Sequence, residues 1–559
     1  MAENVFDAIV VGSGISGGWA AKELTEKGLK VIMLERGRDV KHIKDYVNAN
    51  KHPWDFPHRG GKTQEMIANY PVINRDYPLN ETNLDFWANE KDCPYVEVKR
   101  FDWYRGYHVG GRSLTWGRQS YRLGDLDFEA NLKDGHGVDW PIRYKDLAPW
   151  YTHAEKFAGI NGQKENFPGL PDGEYLPPME MNCVEKDVSA RIRKHYNGKR
   201  IFTMGRSANL TVPHNNRTNC QYRNKCWLGC PFGAYFSTQS ATLPAAMATG
   251  NLTLRPFSIV TKILYDKDTQ KARGVEVLDA ETNQTYEYLA KIVFLNASAF
   301  NSTWVLFNSA TDIWPDGLGS SSGQLGHNVM DHHFRVGASG NVEGYEDKYY
   351  FGRRPNGIYV PRFVNILDDK RDYVRGFGYQ GGASREGWGR NIAEMNIGAE
   401  WKDALCEPGQ WRMGITAFGE ILPYHENRIF LDKNIKDKWG LPVLAMDVEL
   451  KENEMKMRED MKSEAVAMLE AAGLKDVKPY DNDYAFGMGI HEMGTARMGR
   501  DPKSSVLNEW NQVWDCKNVF VTDGACMTSA SCVNPSLSYM ALTARAANHA
   551  VSELKKGNI

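Results

Sequence analysis

The sequence predicts an α/β fold in which a doubly wound parallel-sheet domain is interleaved with a β-rich domain. Three observations predict it. A glycine triplet, Gly12-x-Gly14-x-x-Gly17, separates a short apolar run from a helix-compatible stretch at the start of the chain. Further alternation of strand and helix patterns appears at 291–308 and again at 518–554. Between these blocks, 334–450 holds many short β-like segments punctuated by Gly, Asp and Asn. The α/β signal thus sits at both ends and in the middle, with the β-rich signal inserted.

Taken in order, residues 7–11 are apolar without alternation, as in a strand covered on both faces. Residues 19–27 suit a helix, with Ala20, Ala21 and Leu24 on one side and Gly28 as its stop. Residues 31–35 form a second buried strand ending on Glu35. Residues 45–100 are rich in Pro, Asn, Asp and aromatics with little periodicity, and are expected to form a long functional excursion. Residues 251–280 alternate as strands do, 291–296 read as a buried strand, and 303–308 as helix. The clearest helix is 452–472, where Met455, Met461, Ala465, Met468 and Leu469 recur at helical spacing and Gly473 ends it. Such a methionine stripe is read as core packing. Residues 518–523 form a last strand and 536–554 a last helix.

Composition narrows the class. The 559 residues carry 68 basic and 70 acidic side chains, a net charge of −2, so no whole-chain basic footprint for nucleic acid exists. No run approaches the ~18 apolar residues of a membrane helix, so no direct membrane insertion is expected. Nine cysteines, an odd number, exclude a complete intrachain disulfide framework. The first six residues show neither a basic segment nor an apolar segment of a signal peptide, so synthesis in a reducing cytoplasm is expected.

The glycine triplet has a physical reading. Gly12 permits a tight turn, Gly14 lets backbone approach a pyrophosphate, and Gly17 lets helix and strand pack closely. The helix start supplies amide donors, and Glu35 is placed to accept from a ribose. This Rossmann-type fingerprint does not by itself separate FAD from NAD. The other local feature is Cys220-x₅-Cys226-x₃-Cys230-Pro231. Three thiolates in a short loop fit an iron–sulfur cluster of three irons. They equally fit a zinc site with His214 as the nearest fourth ligand, a disulfide plus a free thiol, or three structural cysteines.

Four motifs in order complete the reading: the opening fingerprint, 110–117 with Gly110, Gly111, Ser113 and Trp116, 326–332 (Gly-His-Asn-Val-Met-Asp-His), and the C-terminal His491 and Asn534-Pro535 segments. Together they resemble the glucose–methanol–choline (GMC) type flavoprotein oxidoreductases over essentially the whole chain. Within that family the chain is most similar to the bacterial sugar dehydrogenases, namely the glucoside 3-dehydrogenase, fructose, gluconate and FAD-glucose dehydrogenase subunits. The residues that carry this are Trp140-Pro141-Ile142-x-Tyr144 with Asp146-Leu147, and Gly419-Glu420-x-Leu422-Pro423 leading to Asn427-Arg428.

The resemblance implies an FAD-binding domain of residues 1–45, 100–125, 216–333 and 491–559, with the cysteine loop at 220–230. It assigns 46–99, 126–215 and 334–490 to a substrate domain and its lid excursions. It implies FAD contacts from Gly12, Gly14, Ile15, Gly17, Glu35, Arg36, Gly110, Gly111, Ser113, Trp116, Val260, Asp523, Gly524, Asn534, Pro535 and Ser536. Where pyranose 2-oxidase carries its flavin on a histidine, this chain has Thr115, which offers no imidazole, so noncovalent FAD is expected. The resemblance also favours a 3Fe–4S cluster on Cys220, Cys226 and Cys230. His491 matches the catalytic histidine and Asn534 its partner; a histidine taken singly would otherwise read as a satisfied core residue. His332 and His333 are read as a structural motif. Gln380 and Glu420 are candidate sugar contacts, and Trp54, Phe56 and Trp87 candidate stacking residues.

The implied activity is oxidation of a secondary alcohol of a sugar or glycoside, with C3 of glucosides to 3-keto-glycosides favoured and a non-oxygen acceptor. The alternatives are an oxygen-using pyranose-type oxidase, another sugar dehydrogenase, an NAD-dependent enzyme and a non-catalytic electron-transfer flavoprotein. The resemblance further implies a small partner subunit bearing an export signal, a cytochrome c acceptor and a periplasmic workplace, the alternative being cytoplasmic.

Overall fold

The structure is a computed structural model that describes residues 4–349, 352–387, 398–482 and 484–559. Two sheets dominate the described residues. The first has eight strands. Val5–Val11 sits near its centre, parallel to Val31–Leu34 on one side and to Thr285–Leu295 on the other. Leu252–Arg255 and Cys516–Val521 extend the parallel block outward. The strand's apolar run follows from burial on both faces: Ala8 and Val10 enter one buried cluster, and Ile9 and Val11 another. One covering layer is the pair of helices Ile15–Glu26 and Ser536–Lys556, whose Ala20, Ala21 and Leu24 share a buried cluster with Ala546, Ala547 and Ala550. The first helix starts at Ile15, four residues before the pattern predicts, because Gly14 of the fingerprint caps it and Gly17 already belongs to it.

The parallel strands end on one side of the sheet. Gly12, Glu35, Asn296 and Asp523 follow four of them and all face one cavity. A ligand crevice outside the carboxyl ends of parallel strands is the general position in open α/β sheets.

The second sheet is antiparallel and has six strands, in the order Lys475–Asp481, Val336–Val342, Trp411–Gly419, Phe377–Arg385, Ile358–Val360 and Thr203–Met204. One face is sealed by helices Cys183–His195 and Glu452–Ala471. Val184, Val188 and Ile192 from one helix and Met457, Met461 and Met468 from the other join Tyr379, Ile415 and Ala417 in a separate core. Because side chains alternate along a strand, the neighbours Gln380 and Phe418 point to the opposite face, toward the cavity. Met455 is half exposed, and Met457 takes the place on the buried stripe that the sequence pattern assigns to Met455. The two lie two residues apart, so they cannot share a helix face. The excursion at 45–100 contains short helical turns, one six-residue helix, Gln64–Asn69, and a two-residue strand, Val96–Glu97, paired with Pro442–Asp447. No described helix is long and apolar enough to cross a membrane.

Two glycine substitutions separate scaffold from cradle. A Cβ on Gly17 would lie 2.0 Å from the Gly12 carbonyl oxygen, whereas a Cβ on Gly14 meets nothing within 4 Å. Gly17→Ala is expected to cost about 1–3 kcal/mol in urea unfolding of the apoprotein. Gly14→Ala should leave that stability unchanged and weaken only dinucleotide retention.

Candidate active site

The cavity has a volume of about 360 Å³ and lies between the carboxyl ends of the first sheet and the open face of the second. At the fingerprint end, Glu35 is buried and accepts from the Ser13 amide (3.1 Å), the Ser13 hydroxyl (2.5 Å) and the Gly37 amide (3.0 Å). Burial nonetheless pushes its carboxyl above the ordinary range. The Ser13 hydroxyl in turn accepts from the Gly110 amide at 2.8 Å, which docks the second glycine stretch onto the first. Gly110 has φ +88°, and a Cβ there would collide with Gln239 at 2.1 Å.

Asn296 Oδ1, Arg105 Nε and the Tyr539 hydroxyl line this cavity and have no hydrogen-bond partner in the protein. A buried polar group left unpaired costs about 1–3 kcal/mol, so these atoms are suited to a polar ligand. With the open space above Gly14, they fit a dinucleotide such as FAD. Asp523 accepts from the Ser302 hydroxyl (2.5 Å) and the Ala525 amide (3.0 Å), and burial pushes it up to about 6.

At the other end stands His491. Its backbone amide donates to Asp331 Oδ1 at 3.0 Å, while Asp331 Oδ2 accepts from the Gly487 (2.9 Å) and Gly489 (3.1 Å) amides. One buried carboxylate therefore holds the whole turn that presents the imidazole. The ring's tautomer follows from its neighbours. His332 Nε2 faces the carbonyl oxygens of Ser531 (2.8 Å) and Ala530 (3.3 Å). A carbonyl only accepts, so Nε2 carries the proton and Nδ1 of neutral His332 is a lone pair. That Nδ1 lies 2.8 Å from Nδ1 of His491. His491 must donate from Nδ1, which leaves its Nε2 unprotonated.

Nε2 of His491 lies 3.3 Å from Asn534 Nδ2. The Asn534 amide is oriented by Gln380, whose Nε2 donates to Asn534 Oδ1 at 2.5 Å. Burial holds His491 well below the usual imidazole range, and His332 and Arg112 act in the same direction. The site therefore contains a neutral imidazole with its basic nitrogen beside an amide donor, as general base chemistry requires.

The residues named from the sequence distribute as follows. Gly12, Gly14, Ile15, Glu35, Arg36, Gly111, Ser113, Trp116, Val260, Asp523, Gly524, Asn534 and Ser536 line the cavity, with His491 and Gln380. Gly17, Gly110 and Pro535 stand behind the lining and shape its backbone. Glu420 does not reach the cavity. Its carboxylate is buried in an ion pair with Arg375 (2.6 Å), so it is committed to the fold rather than to a sugar. Of the three aromatics proposed for stacking, Trp87 lines the cavity, Phe56 is buried away from it, and Trp54 is exposed against His52. His332, which the sequence reading left without chemistry, sets the base; Ser13, Asp331 and Arg112 were likewise not singled out. His333 is buried with both ring nitrogens unpartnered by hydrogen bonds.

Cys220, Cys226 and Cys230 line a second, smaller cavity of about 30 Å³, and all three are free thiols. The Tyr222 amide donates to Cys220 Sγ at 3.4 Å, and burial pushes that thiol up to about 11. Among the described residues no three His, Cys, Asp or Glu side chains close on a single metal ion. His214 is turned away, its Nε2 bonded to the Lys156 carbonyl at 2.7 Å, which removes the fourth ligand of the zinc reading.

Family models described as GMC oxidoreductase match residues 6–334 and 423–543. The chain belongs to the GMC oxidoreductase family. It is thus an FAD-binding oxidoreductase acting on CH–OH groups. It is 29% identical to 2-methyl-1,2-propanediol dehydrogenase of Mycolicibacterium austroafricanum, covering 97% of this chain and 94% of that one. It is 25% identical to the fructose dehydrogenase large subunit of Gluconobacter japonicus, covering 99% and 98%. A C-glycoside 3-oxidase of Microbacterium trichothecenolyticum is 27% identical over 54% of this chain and 55% of its own. Among solved structures, pyridoxine 4-oxidase from Mesorbium loti shares the fold, with a TM-score of 0.58 at 16% identity over 98% of this chain and 99% of that one.

In this GMC oxidoreductase, His332→Ala should retain FAD yet slow flavin reduction by roughly 10²-fold. His332→Gln should recover most of the rate, because a glutamine amide can accept from His491 Nδ1 and donate to the Ser531 carbonyl. Stopped-flow flavin reduction checks both.

Proposed function

We propose that the chain oxidises a secondary hydroxyl of a sugar or glycoside, with C3 of glucosides favoured, and passes the electrons to a non-oxygen acceptor. The observation that carries the reading is the unprotonated Nε2 of His491, open to the cavity beside Asn534. Bound FAD supplies the acceptor for the hydride of the C–H bond. The chain's own residues manage the proton. The substrate hydroxyl gives its proton to His491 Nε2, and the charge that forms on the ring is stabilised through its Nδ1–H bond to neutral His332. Asn534 Nδ2 steers the alcohol oxygen, and Gln380 keeps that amide from rotating. Asn534 cannot share the proton, so His491 carries the acid–base step alone.

Likeness to a C-glycoside 3-oxidase supports the carbon, and likeness to a fructose dehydrogenase supports a dehydrogenase. Likeness to a 2-methyl-1,2-propanediol dehydrogenase favours a second reading, oxidation of a short diol. A panel of sugars, glycosides and diols with an artificial acceptor, with the product carbon read by NMR, decides between them. Glycoside oxidation at C3 is the expected result; turnover of diols alone would overturn it. The FAD is taken to be noncovalent, since Thr115, which offers no imidazole, lines the cavity at the position of a flavin-carrying histidine. Acid precipitation should leave the yellow colour in the supernatant.

Cys220, Cys226 and Cys230 would hold a 3Fe–4S cluster, which supplies a one-electron exit. Three free thiols around one cavity and an amide donor to sulfur support it. Iron and acid-labile sulfide in the 3:4 proportion of that cluster are expected; zinc or no metal would exclude it. A small export-signal-bearing partner, a cytochrome c acceptor and a periplasmic location complete the proposal; likeness to a large subunit supports a partner subunit alone. Activity against pH should be flat through neutrality, with its acid limb below pH 6.5, because His491 sits below its ordinary value of 6.5. The conversion His491→Ala should retain FAD and abolish most substrate-dependent flavin reduction.

A further inference from the structure

Four aromatic rings run from the catalytic base to the cysteine loop. Phe418 lies 6.5 Å from the His491 ring, Phe334 5.3 Å from Phe418, Tyr77 5.8 Å from Phe334, and Trp227 5.7 Å from Tyr77, all between centroids. Every one of them lines the same cavity as His491. They come from four separate parts of the chain: the excursion at 45–100, the turn Cys226–Leu228, the segment after His333, and the strand Trp411–Gly419. None is fully buried, and Tyr77 keeps 50% of its surface open. Ligand sites are lined mostly by apolar and aromatic side chains, and these accessible faces fit such a lining.

The polar groups at the near end of this wall are His491, Asn534 and Gln380, all uncharged. Arg112 is held bidentately by Glu492 (3.1 and 2.7 Å), and Arg118 donates to the Trp116 carbonyl. The wall therefore gathers its imidazole and amide groups at one end and presents aromatic faces beyond. That arrangement suits a ligand with a hydroxylated part at His491 and a planar apolar part farther out.

We infer that the substrate is an aryl glycoside, its sugar at His491 and its aromatic aglycone stacked along Tyr77 and Trp227. The inference rests on the glycoside reading proposed above and names its substrate class. Each stacked ring adds to affinity beyond simple burial.

The test uses the FAD-loaded His491→Ala protein, which binds without turning over, and isothermal titration with phenyl β-D-glucoside and methyl β-D-glucoside. The phenyl glucoside is expected to bind at least about tenfold tighter, equivalent to about 1.4 kcal/mol. Adding Tyr77→Ala or Trp227→Ala should bring the two dissociation constants, measured on the same variant, to within about twofold. Trp227→Leu serves if the alanine variant loses FAD, and Tyr77→Phe should keep the preference. Equal affinities, undetectable binding of both, or a preference undiminished in the Trp227 variants would overturn the inference. Flavin reduction in the wild-type protein separates the two claims. If neither glycoside reduces the flavin, the oxidation reading fails, while the ratio of dissociation constants still decides the wall.

Discussion

The 2.8 Å contact between Nδ1 of His332 and Nδ1 of His491 is the constraint on which the site's chemistry depends. Two imidazoles that meet through like nitrogens must differ in protonation, and the Ser531 carbonyl determines which way. His332 is thereby the acceptor and His491 the donor. The basic nitrogen of His491 is left facing the cavity without any charged partner directing it. A carboxylate in the place of His332 would raise the basicity of His491; a neutral imidazole in a buried setting keeps it low. The ring then stays unprotonated at neutral pH and ready to accept.

The same short segment joins the two halves of the molecule. Asp331 ties down the turn from Gly487 to His491, Met330 pairs with Met493, and His332 bridges to Glu420 at the end of a strand of the second sheet. Glu420 is in turn anchored by Arg375, which also engages Asp134. A network of this kind, buried and largely paired, holds geometry more strictly than apolar packing does. The base is thus positioned against both the dinucleotide cradle of one sheet and the Gln380–Asn534 pair supported by the other.

Much of this was legible in the sequence because it is local. The fingerprint, the strand endings at Glu35 and Asp523, and the Asn534–Ser536 helix start are contiguous motifs whose geometry is dictated by backbone. His491 and Asn534 were legible through their motif order. What was not legible depends on register and on distant neighbours. Gln380 and Glu420 look alike as polar residues of the β-rich region, yet strand alternation sends Gln380 into the cavity, while Glu420 lies just past a strand end and is captured by Arg375. His332 looks structural because its role arises only from contacts 159 and 199 residues away. The aromatic wall draws on four separated segments and so leaves no periodic trace, and aromatic residues chosen from 45–100 alone identified Trp87 but not Tyr77.

The tautomer of His491 is the most direct test of the account. With all 14 histidines labelled with ¹⁵N, the His491 resonances are assigned by their loss in a His491→Gln protein. The account predicts a protonated Nδ1 and an unprotonated Nε2 at pH 7. A protonated Nε2, or a fully protonated ring at that pH, would contradict it.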